Sequence, residues 1–405
     1  MNYLFVHQNF PGQFLHVARA LAGETRHRVV AIADQINLKA RPLPRTGIAL
    51  IGYTIKNAAR SETHSYLRGL ESQVIRAQAV ARIAIDLKKK GFAPGIVIAH
   101  PGWGEALFLK DIFPHAKHIN YFEFYYRSEG SDVNFDPQLP STLDDLLKLR
   151  IRNSSQLHAL ISGDIGVSPT YWQRQQYPED LTPKIQVLHE GIDTTAVQPD
   201  PNAVFTWGNF RFQADQEIIT YVARNLEPYR GFHVFMQSLP MLLLSRPNAI
   251  VLIVGGDAVS YGRQLPQGQT YRQKYIDEAK DSVDWKRVHF LGKLPYASYL
   301  KVLQISSVHV YLTYPFVLSW SFLEAMSMGC AIVASNTAPV QEVVEDRNQG
   351  LLFDFFDSKA LIEKVICVLS NPKEFLSMRK RARATVIAKY DLYSICLPQW
   401  LKLLD

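Results

Sequence analysis

Short apolar runs alternate with stretches of helical periodicity along this chain, and the pattern runs through twice. The first series is "YLFV" at 3–6, "RVVAIA" at 28–33, "GIVIAH" at 95–100, "HINYFEF" at 118–124, "IGVS" at 165–168 and "IQVLHEG" at 185–191. The second is "IITYVAR" at 218–224, "AIVLIVGG" at 249–256, "VHFLG" at 288–292, "VHVYLT" at 308–313 and "CAIVAS" at 330–335. Helical patterns fall between them, over about 14–22, 62–90, 104–113, 144–162 and 231–243. A strand that is apolar on both faces must be covered on both, and a parallel sheet with helices on each side does this. The pattern therefore predicts an α/β chain of two doubly wound, Rossmann-like domains. Ligands of such sheets bind at the C-terminal ends of the strands, here in a cleft that the two domains face.

The 405 residues exceed one ordinary core and suit two domains of about 200 residues. Turn formers dominate "GIDTTAVQPDPNAVFTWGNFRFQADQE", so the junction is placed near 195–215, with domains at 1–200 and 201–390. A composition 47% hydrophobic and 20% charged excludes a disordered chain. The net charge of +7 is spread over both halves, without the stripe or tail of a nucleic-acid binder. It suits anionic ligands and leaves peripheral contact with an anionic membrane open.

Three cysteines, Cys330, Cys367 and Cys396, without paired spacing, point to reduced thiols and a cytoplasmic location. No CxxC pair or His/Cys cluster suggests a metal site. "MNYLFVHQNFPGQF" lacks the features of a signal peptide. The most apolar long stretch, "VFMQSLPMLLLSRPNAIVLIVGG", is interrupted by two prolines and Arg246, so no membrane span is expected. In "DDLLKLRIRN", Asp144 and Asp145 offset Lys148, Arg150 and Arg152, as on a solvated face.

Five places offer chemistry. In "YVARNLEPYRGF", Arg224 at a strand end and Arg230 before Gly231 could hold a diphosphate; the plain alternative is solvated arginine. Gly12 in "NFPGQF" could let the backbone approach a phosphate, or simply close a Pro-Gly turn. His100 ends a buried strand, where it contacts a sugar hydroxyl or a backbone carbonyl. In "SFLEAMSMGCAIVAS", Glu324 is a carboxylate in apolar surroundings that needs donors. A ribose diol supplies two, whereas the alternative is a carboxylate that caps its own helix. Glu123 and the aromatics around it, Tyr125 among them, end another strand of the first domain; they suit an acceptor sugar or lipid, or belong to loop and core.

The ordered set resembles the glycosyltransferase family 4 (group 1) enzymes, which have the GT-B architecture. The likeness covers nearly the whole chain and is strongest from Ser168 to Phe353. "IQVLHEGIDTTAVQP" is similar to that family's "NGVD…F.P" segment, with Glu190 in place of asparagine. "ARNLEPYRG" resembles its diphosphate-holding basic pair, with Arg230 where lysine is usual. "AIVLIVGG" and "VHFLGKLP" resemble its nucleobase-contacting segments, near Gly255, Lys293 and Leu294. "SFLEAMSMGCAIVAS" is similar to "EAMA.G.PVVA". The family carries two glutamates with seven residues between them. The second falls on Glu324, which by resemblance holds the ribose, and the first falls on Phe316. "FVLSW" stands where "EGFGL" is usual, leaving the backbone amides of Leu318, Ser319 and Trp320 to reach the sugar and phosphates.

The resemblance implies a retaining, metal-independent transfer from a nucleotide-diphosphate sugar, UDP favoured over GDP, to a glycan, lipid or small-molecule hydroxyl. Arg224, Arg230 and Glu324 would act on the donor, and His100 with the Gly12 loop, Glu123 and Tyr125 on the acceptor side. No cofactor is implied beyond the donor substrate. "LYSICLPQWLKLLD" resembles the helix, 391–405, that returns to the first domain. Phe316 removes a carboxylate beside the reacting sugar. Either another group such as Glu123 substitutes, or the donor sugar differs, or catalysis is weak. A nucleotide-sugar-binding protein with little or no transferase activity is therefore the alternative. A GT-B enzyme that epimerises or hydrolyses its nucleotide sugar is the third class, for which the chain has few extra carboxylates or histidines.

Overall fold

The computed structural model describes residues 1–40 and 47–405. The chain forms two compact units, Met1–Gly191 with Tyr393–Asp405, and Ile192–Leu392.

The first unit is built on seven strands: β1 (Asn2–Val6), β2 (Arg28–Asp34), β3 (Ala49–Tyr53), β4 (Ile96–Ala99), β5 (Lys117–Tyr121), β6 (Ile165–Ser168) and β7 (Ile185–Val187). Their order is β3-β2-β1-β4-β5-β6-β7, and every pairing is parallel. Successive residues of β1 enter two different cores, Tyr3 and Phe5 one, Leu4 and Val6 the other. That is why the strand is apolar throughout. The first core is covered by the helix Leu15–Gly23, through Val17 and Leu21, and by the helix Leu397–Leu404, through Trp400, Leu403 and Leu404. The second is covered by the helix Arg68–Lys89, through Val80 and Ala84.

Three helices differ from the periodicity. The long helix begins only at Arg68, because residues 60–67 form a turn in which Thr63 Oγ1 and the Arg60 amide donate to Glu71. Over 104–113 only Leu109–Ile112 is α-helical, after a separate turn at Pro101–Trp103. The 144–162 pattern is two helices, Leu143–Arg152 and Ser154–Ser162. The break is at Asn153, whose side-chain amide bonds both the backbone N–H and the carbonyl of Tyr126.

The second unit opens with an antiparallel hairpin, β8 (Val204–Trp207) and β9 (Phe210–Gln213), inside the segment that composition had marked as a junction. Six parallel strands follow: β10 (Ile218–Asn225), β11 (Ile250–Gly256), β12 (Val288–Gly292), β13 (Val308–Tyr311), β14 (Ile332–Ser335) and β15 (Leu351–Phe353). Their order is β12-β11-β10-β13-β14-β15. Both sheets are thus doubly wound, with chain direction reversing between β1 and β4 in one and between β10 and β13 in the other. Such reversals open a crevice at the C-terminal strand ends, where ligands bind. No described helix is long and apolar enough to cross a membrane.

Candidate functional site

At the reversal point of the second sheet, β10 runs into a tight turn, Pro228–Arg230. Gly231 follows with φ +65°, and a Cβ there would lie 2.3 Å from Leu312 Cβ, so only glycine lets the turn pack against the end of β13. Tyr221 Oη donates to the Arg230 carbonyl at 2.5 Å and fixes the backbone. The Arg230 side chain is 6% exposed. Its Nη1 donates to Thr313 Oγ1 at 2.7 Å, the Val317 carbonyl at 3.0 Å and Tyr311 Oη at 3.3 Å. All three oxygens are neutral, and no carboxylate lies within ion-pair distance among the described residues. Glu227 acts on it only at longer range; a buried cation with no carboxylate in contact is costly, so this arrangement is suited to an anionic ligand.

Phe316 is 3% exposed and packs its ring against Tyr229 (5.5 Å between centroids) and Tyr261 (4.8 Å). This wall is therefore aromatic where a carboxylate was the pattern's expectation. Of the three amides assigned to the sugar and phosphates, that of Ser319 already donates to Tyr311 Oη at 3.0 Å, while Trp320 opens the helix Trp320–Ser327. Leu318 packs against the core of the unit.

Glu324 sits inside that helix, 9% exposed, and does not cap it. Its donors are two phenols: Tyr296 Oη reaches Oε1 and Tyr299 Oη reaches Oε2, each at 2.7 Å. Both come from one helix, Tyr296–Gln304, at a spacing that puts them on one face. Sequence reasoning missed them, although the tyrosine pair at that spacing was there to be read. Burial pushes the Glu324 carboxyl above its ordinary value, and the two phenols draw it part of the way back. Each carboxylate oxygen retains capacity to accept a further hydrogen bond.

The remaining assignments fall unevenly. Gly255 lies within β11, where a Cβ would strike Leu226 and the Ala223 carbonyl, so its smallness serves strand packing. The Lys293 stem passes over the neighbouring Gly256, within 2.4 Å of where a Cβ would be. Leu294 joins the core. Arg224 is exposed at the end of β10, apart from the interactions that hold Arg230.

In the first unit the structure brings Gly12, His100 and Glu123 together through two residues the sequence did not single out, His7 and Gln13. Gly12 has φ +45°, and the His7 ring fills the place of its missing Cβ. The Asn9 amide donates to His7 Nδ1 at 2.9 Å, which leaves the proton on Nε2, 2.8 Å from Gln13 Oε1. Gln13 Nε2 then donates to Glu123 Oε1 at 3.2 Å. The Gly102 amide donates to His100 Nδ1, and His100 Nε2 lies 3.5 Å from Glu123 Oε2. Trp103 stacks on His100 at 4.3 Å. Burial, reinforced by His100, lowers His7 to about 3, so it is neutral. The result is a half-exposed carboxylate with the Gln13 amide on one oxygen and the His100 ring beside the other, placed to accept a hydrogen bond from a hydroxyl. Tyr125 turns elsewhere, its ring 5.3 Å from Tyr177.

Comparison with known proteins fits this geometry. Residues 25–197 match the model of the glycosyl transferase family 4 group, and residues 208–385 that of glycosyl transferases group 1. Among solved structures, sucrose-phosphate synthase from Thermosynechococcus elongatus superposes with a TM-score of 0.73 at 17% identity, over 100% of this chain and 99% of that one. Anabaena HepE in complex with UDP-glucose gives 0.71 at 15% identity, over the same shares. At these identities the likeness speaks for the fold. Among curated proteins, YtcC of Bacillus subtilis (strain 168), which carries a glycosyltransferase name, is 22% identical over 229 residues. That alignment spans 55% of this chain and 54% of YtcC, about half of its length. The chain thus carries a family 4 group domain followed by a group 1 domain, each on its own Rossmann-like sheet, and belongs to the glycosyltransferases of GT-B fold.

Proposed function

We propose that this protein transfers a sugar from a nucleoside-diphosphate sugar, UDP-linked by preference, to a hydroxyl acceptor. The donor is assigned to the second unit and the acceptor to the first. The observation that carries this reading is the buried Arg230 guanidinium at the sheet's reversal point, held only by neutral oxygens. A diphosphate supplies its missing counter-charge. As the bond between the anomeric carbon and the phosphate oxygen breaks, negative charge grows on the leaving diphosphate. A preorganised cation in a dry site lowers such a barrier by about 3 kcal/mol. Arg224, exposed at the same strand end, meets the outer phosphate oxygens, and Glu324 takes the ribose hydroxyls on the lone pairs that Tyr296 and Tyr299 leave.

The guanidinium offsets the charge a metal ion would otherwise meet, and the family resemblance implies a product that keeps the donor's anomeric configuration. His100, Glu123 and the Gly12 loop receive the acceptor, with Tyr125 beyond them. The acceptor is a glycan, lipid or small-molecule hydroxyl, and the site of work is the cytoplasm, including its membrane face.

The Arg230→Ala variant tests the assignment by calorimetric titration. UDP affinity falls at least tenfold while uridine affinity stays within twofold. Equal losses for UDP and uridine would remove Arg230 from the diphosphate. One observation favours a second reading, a nucleotide-sugar-binding protein that transfers little: Phe316 closes with aromatic rings the place where a carboxylate is expected. Radiolabelled sugar incorporated into an acceptor at a rate above hydrolysis supports the transferase. Tight donor binding with no incorporation supports the binder.

A further inference from the structure

The segment between β11 and the helix Tyr271–Glu278 has no periodicity and no assigned role, yet it is firmly held at one point. Glu227 is 0% exposed. Its Oε1 accepts the N–H of Ser260 at 3.0 Å, and its Oε2 those of Tyr261 at 3.1 Å and Gly262 at 2.9 Å. Asn225 Nδ2 adds a bond to Ser260 Oγ at 2.6 Å. Three successive amides on one carboxylate make a clamp, because charge-assisted bonds are roughly twice as strong as neutral ones. They also occupy both Glu227 oxygens, so this carboxylate acts on Arg230, three residues on, only at longer range and not in an ion pair.

The clamp has one geometric consequence. It lays the Tyr261 ring 5.5 Å from Arg230 Cζ and 4.8 Å from Phe316. Tyr261 is half-buried, and its hydroxyl has no hydrogen-bond partner among the described residues. We propose that Tyr261 is a donor-contacting residue whose hydroxyl bonds the transferred sugar beside Phe316, and that Glu227 is the positioning residue that holds it there. This rests on the nucleoside-diphosphate reading of Arg230. A phenol both donates and accepts one hydrogen bond and carries no charge. It can therefore take a sugar hydroxyl next to a guanidinium where Phe316 offers only an apolar edge.

The test uses the full chain, with UDP and UDP-glucose as probes, and compares the wild type with Tyr261→Phe, Glu227→Gln and the double variant by calorimetric titration. The wild type is expected to bind UDP-glucose several-fold more tightly than UDP. Tyr261→Phe keeps the ring and should abolish that ratio while leaving the UDP dissociation constant within twofold. In Glu227→Gln one amide N–H group must face a backbone donor, so the clamp loosens and the ratio falls likewise. The double variant should be no worse than Tyr261→Phe alone, since Glu227 acts through Tyr261. A ratio untouched by Tyr261→Phe overturns the proposal, as does a wild-type ratio near one. Losses that multiply in the double variant reduce Glu227 to a structural role. If Glu227→Gln does not fold, Tyr261→Phe decides alone. A wild type that binds neither probe overturns the underlying diphosphate reading, and this inference falls with it.

Discussion

A buried arginine and a buried glutamate carry opposite problems in the second unit, and on the proposed reading a ligand solves both. Arg230 has dipoles around it but no carboxylate in contact; Glu324 has two phenols but no cation. Burial holds the Glu324 pKa above its ordinary value. Between those two values the folded state keeps a proton that the unfolded chain releases, so stability falls as pH rises through that window. Above that window the ionised carboxylate is a net cost to the unliganded protein. Glu324→Gln is expected to raise the unfolding midpoint of the free protein at pH 7.5, by an amount that shrinks as pH falls toward the ordinary carboxyl value, while weakening UDP binding. A variant less stable than wild type at pH 7.5, with unchanged UDP affinity, contradicts this. The need of Glu324 for donors was legible in its apolar neighbours. The spacing of Tyr296 and Tyr299 was also there to be read, but their match to Glu324 was not, because a separate helix delivers them and only tertiary packing shows it.

Among elements, the parallel strands were the most legible. β1, β2 and β4 are apolar on both faces because each feeds a core on either side of its sheet, and β10 and β11 are buried along both faces in the same way. The hairpin was missed although "VFTWGNFRF" holds its signal: alternating strands joined by Gly208 and Asn209, a recognised two-residue turn. Turn formers around it masked the alternation. The helix over 144–162 was read as continuous because periodicity does not register a side chain such as Asn153 that substitutes for backbone. The turn bearing Arg230 depends on its glycine. Gly231→Ala would strain a left-handed backbone by about 1–3 kcal/mol and strike Leu312. The expected outcome is a lower unfolding midpoint together with weaker UDP binding, since Arg230 moves with the turn. Loss of stability with full UDP affinity would separate the turn from the site.

For the molecule as a whole, three buried histidines set the acid limit. Burial lowers His7 and His309 to about 3 and His189 to about 4. Above the ordinary histidine value of about 6.5 their contribution is complete. Below it, the unfolded chain takes up protons that the folded protein refuses, and each group removes about 1.4 kcal/mol per pH unit until its own lowered value is reached. Stability should therefore drop steadily from pH 6.5 toward 4, and a flat profile over that range would mean these imidazoles are not held neutral. Function at this scale turns on whether the second unit binds a nucleoside diphosphate. The most direct measurement is thermal unfolding of the whole protein against UDP, GDP and ADP and their sugar conjugates. A ligand at 100 times its dissociation constant stabilises by about 2.7 kcal/mol. UDP is predicted to raise the midpoint, and a UDP-sugar to raise it further; no shift with any of the nucleotides would contradict the assignment of Arg230 and Glu324 to a donor site.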